Sequence, residues 1–154
     1  MNIPLNILQY YNETPFKFTY KDGEFFYCTA FVFNDSVIFG DTHLGEDIEM
    51  ELYTDGLLQL ILIDPADCLP DIKRIHKQFY KEIKDPTGNI LYFADTPKSM
   101  NYAFLLSIDM FDLIEKGMAI DVTTLPDEVR NWAIDKHMNK FMKYNELNIE
   151  VGSI

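Results

Sequence analysis

The stretch Phe16-Lys17-Phe18-Thr19-Tyr20-Lys21-Asp22-Gly23-Glu24-Phe25-Phe26-Tyr27 decides the fold class. Apolar and polar residues alternate from Phe16 to Lys21, the period of a strand with one buried face. Asp22-Gly23 then supplies the strongest short hairpin signal, because both residues tolerate the positive φ of a tight turn. A two-residue loop pairs Lys21 with Glu24, Tyr20 with Phe25 and Phe18 with Tyr27. That register collects Phe16, Phe18, Tyr20, Phe25 and Tyr27 on one face, which reads as core. The strand continues to Phe33, turns at Asn34-Asp35-Ser36 and returns as Val37-Ile38-Phe39.

Further along, Asp55-Gly56 marks a second hairpin. A three-residue loop, with Gly56 in the left-handed conformation, pairs Ile48 with Leu62, Met50 with Leu60 and Leu52 with Leu58. From Pro70 the period changes. Ile72, Ile75, Phe79 and Ile83 recur at helical spacing, and Asp85-Pro86-Thr87-Gly88 stops that helix. Ile90–Ala94 reads as a short strand. Thr96-Pro97 opens a second helix closed by Gly117, and Thr124-Leu125-Pro126-Asp127 opens a third. The expected fold is α+β. An antiparallel sheet built from N-terminal hairpins (16–63) is covered by about three helices from the C-terminal half (70–146, with one strand near 90–94), in a single compact domain over 1–154.

Composition agrees with that class. At 47% apolar, the 154 residues are too hydrophobic for intrinsic disorder and suit one domain. Cys28 and Cys68 lack metal-pair spacing and read as reduced structural thiols. The N-terminus shows no basic region followed by an apolar one, and the densest apolar stretches, Leu57–Ile63 and Ala103–Ile108, fall short of the ~18–20 residues of a spanning helix. A cytoplasmic protein without membrane contact is expected.

Motifs for phosphate, dinucleotide, serine-hydrolase or zinc chemistry are missing: there is no P-loop, G-x-G-x-x-G, G-x-S-x-G, H-E-x-x-H or C-x-x-C. Ser36-Val37-Ile38-Phe39-Gly40-Asp41-Thr42-His43-Leu44-Gly45 resembles the first metal-binding motif of metallophosphoesterases, a strand followed by D-x-H. The resemblance implies that Asp41 and His43 would hold one metal of a two-metal pair in a small hydrolase. It covers about ten residues, and the later G-D, G-N-H and G-H-x-H motifs of that family are missing from this chain. His76 and His137 fall beside apolar residues on helix faces. Lys136, Lys140 and Lys143 line one side of the last helix, as a solvated face near a helix C-terminus does. No metal and no cofactor are therefore expected.

Charge is the informative feature. From Asp22 to Ile72 there are twelve acids and no Lys or Arg, whereas the other 103 residues hold 13 of each sign. The whole net charge of −12 thus belongs to one stretch. Nucleic acid and anionic lipid, both polyanions, are excluded as direct partners. Asp41, Glu46, Asp47, Glu49 and Glu51 concentrate the charge, with Glu49 and Glu51 on one strand face. Crowding like charges costs stability, whereas a single-sign field steers a basic partner. The expected function is a non-enzymatic acidic binding protein that docks on, and inhibits, a basic protein surface. That surface would belong to a nucleic-acid-binding protein opposed by a phage or mobile-element antagonist, or to a basic toxin neutralised by an immunity-type protein.

Overall fold

β1 (Pro15–Tyr20) and β2 (Phe25–Phe33) form the expected hairpin, one residue out of the expected register. The computed structural model describes residues 3–33, 37–42, 44–45, 47–51, 56–64, 80–84, 90–94 and 104–152. Thr19 lies opposite Phe25, Phe18 opposite Phe26 and Phe16 opposite Cys28. The loop has three residues. Tyr20 N–H donates to the Glu24 carbonyl at 2.7 Å, and Gly23 N–H donates to the Tyr20 carbonyl at 3.0 Å. Gly23 alone in the loop has positive φ (94°), whereas a two-residue type I′ turn would need it at Asp22 as well. A slip of one exchanges the two faces of β2. Phe26 and Cys28 therefore join Phe16 and Phe18, with Phe26 stacked 5.8 Å from Phe18. Phe25 moves to the surface, where the Lys17 ammonium sits 4.2 Å from its ring centroid.

β3 (Val37–Thr42) pairs with β2, and β4 (Asp47–Glu51) pairs with β3. β5 (Gly56–Leu62) does not return along β4, which corrects the second hairpin. It pairs with β1, with Leu60 opposite Phe16 and Leu58 opposite Phe18. The reason lies in its composition. Leu58, Leu60 and Leu62 are buried on one face and Ile61 on the other, and a strand apolar on both sides belongs inside a sheet. Its second edge is covered by β8 (Ala119–Asp121), which runs parallel to it, giving the order β4-β3-β2-β1-β5-β8. The sheet is mixed, not purely antiparallel. Gly56 has no positive φ; it is glycine because a Cβ there would lie 2.1 Å from the Thr19 carbonyl oxygen.

The sheet also has to coil. The N-terminal part of β2 pairs with β1 and its C-terminal part with β3, overlapping only at Cys28 and Thr29. Glu51 and Gly56 are five Cα steps apart, at most about 19 Å. In a flat sheet they would be four strand spacings apart, again about 19 Å, and at opposite ends along the strand direction. Only a strongly coiled sheet lets the chain make that connection.

Two cores result, one on each face. Phe16, Phe18, Cys28, Leu58, Leu60 and Leu62 pack with Ile3, with Leu8 of the N-terminal helix α1 (Leu5–Leu8) and with Tyr11 of the 3-10 turn Gln9–Tyr11. Burying each phenylalanine contributes about 2–3 kcal/mol. On the other face, Tyr27, Ile61 and Ile63 meet Val129, Ala133 and Phe141 of the long helix α2 (Asp127–Gly152). That helix starts as expected, directly after Pro126.

The other two expected helices fail in the described residues. Tyr80–Lys84 forms β6, paired with the correctly expected β7 (Ile90–Ala94) in a separate two-stranded sheet. Residues 71–79, which carry the rest of that helical pattern, lie outside the described residues, as do 95–103. After the helical residues Phe104 and Leu105, Ser107 (φ 62°) and Asp112 (φ 55°) take left-handed backbone, and Ile108 bridges to Ile63. The Asp109 carboxylate accepts from the N–H groups of Phe111, Leu113 and Ile114, replacing the acceptors a helix would supply. Among the described residues, α2 is the one long helix, the other two expected helices are not confirmed, and no helix is long and apolar enough to cross a membrane.

Candidate functional site

Backbone pairing gathers most of the charges singled out in the sequence. Asp41 lies opposite Asp47, Phe39 opposite Glu49 and Val37 opposite Glu51. Because side chains alternate along a strand and directly paired residues share a face, Asp41, Asp47, Glu49 and Glu51 occupy one face of the β3–β4 pair. Asp41 and Glu49 are exposed. β4 is the edge strand, with β3 as its hydrogen-bonded neighbour. Glu46 and His43 lie outside the described residues. Like charges directly opposite each other cost roughly 0.2–1 kcal/mol, so the Asp41–Asp47 pair is an unfavourable choice for stability alone.

The surrounding sheet explains why Asp41 is exposed. The row Leu60–Phe16–Cys28–Thr42 crosses four strands and is buried throughout, at 2%, 2%, 0% and 8% exposure. The adjacent row points the other way, and its Pro15 is buried, Thr29 half-buried and Asp41 exposed. Burial pushes the Cys28 thiol up to about 12, and the negative charge of Asp41 adds to the shift. Cys28 is thus a protonated core thiol and not a nucleophile. Cys68 lies outside the described residues. Among the described residues, no group of three or more His, Cys, Asp or Glu could hold a metal ion.

A second polar cluster lies under α2, and the sequence reading missed it. Lys140, expected on a solvated face, is 6% exposed. Its Nζ donates to Thr14 Oγ1 at 2.9 Å and to the Phe104 carbonyl at 3.1 Å, and Thr14 Oγ1 lies 3.2 Å from Ser107 Oγ. One turn earlier, His137 is buried with Nε2 2.9 Å from the Ile61 carbonyl. Nearby, the Tyr11 hydroxyl donates to the Ile108 carbonyl at 2.9 Å and accepts from Met110 N–H at 3.0 Å. The missed signal was spacing: Val129, Ala133, His137 and Lys140 fall on one stripe of the helix, the apolar one. Lys136 is half-buried, and Lys143 is exposed, pairing with Glu13 at 3.2 Å.

Comparison with family models, with curated proteins and with solved structures gives no match. The site's own geometry therefore carries the functional reading.

Proposed function

We propose that the protein is a non-enzymatic acidic binding protein whose β3–β4 face docks on a basic surface of a protein partner and inhibits it. The contact would be made by Asp41, Asp47, Glu49 and Glu51, with Glu46 in the loop before β4. The observation that supports this reading is the register that sets Asp41 against Asp47 on the face that also carries Glu49 and Glu51. A surface selected only for solubility intersperses both signs and avoids such pairs. One that must attract a cationic partner gains encounter rate from a single-sign field.

A nucleic-acid-binding protein fits as a partner class, since its groove must present clustered Lys and Arg to phosphates. Blocking that groove is how a phage or mobile-element antagonist would act. Neutralising a basic toxin, as an immunity-type protein does, requires the same surface. The test is capture from lysate at low and high salt, using wild type and the double variant Glu49→Lys, Glu51→Lys. The expected result is a basic protein retained by wild type at low salt and lost both at high salt and with the variant. Equal, salt-independent recovery by both proteins would move the interface off this face.

A further inference from the structure

Lys140 and His137 share a structural peculiarity: among the described residues, each has acceptors for its neutral form only. A neutral amine carries two N–H donors, and Lys140 Nζ has two acceptors, Thr14 Oγ1 and the Phe104 carbonyl. A neutral imidazole carries one N–H, which Nε2 gives to the Ile61 carbonyl, and Nδ1 has no partner. Adding a proton to either side chain creates a buried N–H donor for which the described residues supply no acceptor, which is costly beyond the burial of the charge. All three bonds cross from α2 to other parts of the fold: the segment before β1, the turn at Phe104 and β5.

We propose that α2 is a protonation-controlled latch, fastened to the sheet by neutral Lys140 and neutral His137 and loosened when either gains a proton. The charged surroundings leave the mechanism intact. Among the described residues, Glu13, before β1, is the carboxylate acting on Lys140, and Lys143 pairs with it at 3.2 Å. Asp109 spends its carboxylate on the N–H groups of Phe111, Leu113 and Ile114, and β5 offers only the Ile61 carbonyl. Within α2, the Lys140 charge opposes protonation of His137. Burial lowers Lys140 to about 7 and His137 to about 4. Both shifts are downward, so the stability they confer is complete above the free-chain values and is lost as pH falls toward the folded ones. For Lys140 that window runs from 10.5 down to about 7, and for His137 from 6.5 down to about 4.

Trp132 is the chain's single tryptophan and packs on the α2 side of the sheet, so its fluorescence reports undocking. Urea titrations followed by Trp132 should show the opening constant rising, by up to about tenfold per pH unit, between pH 10 and 7 in the wild type. Lys140→Met should abolish that slope and keep the one below 6.5. An identical slope in both proteins, or a flat wild-type profile, would overturn the latch. Should the variant not fold, an NMR titration of the wild-type lysine side chains decides the matter. Lys140 should titrate near 7, and titration near the free-lysine value would refute the proposal.

Discussion

The two ends of one sheet face are built on opposite terms. Where α2 lies, the face is core: Tyr27 and Ile61 pack against Ala133 and Phe141, and the polar groups that enter are tied to named partners. At β3 and β4 the same face carries four carboxylate residues and ends at an edge strand. The difference separates what folding requires from what folding tolerates. The covered end buries apolar side chains and ties Lys140, Tyr11 and one nitrogen of His137 to partners; the acidic end sets Asp41 directly opposite Asp47 in the register, a choice that no requirement of the sheet explains.

Substitutions should reflect that contrast, and the covered end should respond most. Gly56→Val would drive a side chain into the Thr19 carbonyl, and should destabilise by about 3 kcal/mol in urea melts. A neutral result would mean that β5 does not pair closely with β1. Next comes Tyr11→Phe, which strips a donor from the Ile108 carbonyl and an acceptor from Met110 N–H. Its expected cost is about 2 kcal/mol, since two buried backbone groups lose their partner. Gly23→Ala meets no neighbouring atom and suffers only from the positive φ, so about 1 kcal/mol is expected.

At the acidic end the sign should reverse. Asp47→Lys replaces a like-charge pair with an opposite-charge one across from Asp41, and should raise stability by about 0.5 kcal/mol. Partner association should weaken in the same variant. A stabilised protein with undiminished binding would show that the charges serve no interface.

The sequence was legible where local chemistry is decisive. The β1–β2 hairpin, β7 and the start of α2 each follow from turn residues, alternation or a Pro-Asp opening. Register was less secure, because a two-residue and a three-residue loop around Asp22-Gly23 both satisfy local rules and only packing of Phe26 against Phe18 separates them. The place of β5 was illegible: its pairing with β1 spans some forty residues, and an adjacent hairpin with β4 sorted the same side chains plausibly. Ile83, read as the last position of a helical period, lies instead on a strand in register with Leu91 of β7, a pairing that local spacing does not show. The acidic face was visible as a charge count, but the Asp41–Asp47 opposition needed the register.

The most direct test is the association rate of the captured partner as ionic strength rises from about 0.1 M to 1 M, over which the screening length falls from about 10 Å to about 3 Å. The rate should drop steeply for wild type. For the Glu49→Lys, Glu51→Lys variant it should start low and change little, with dissociation affected less than association in both. A wild-type rate that ignores salt, or a variant that associates as fast as wild type, would contradict the claim that this face exists to attract a basic partner.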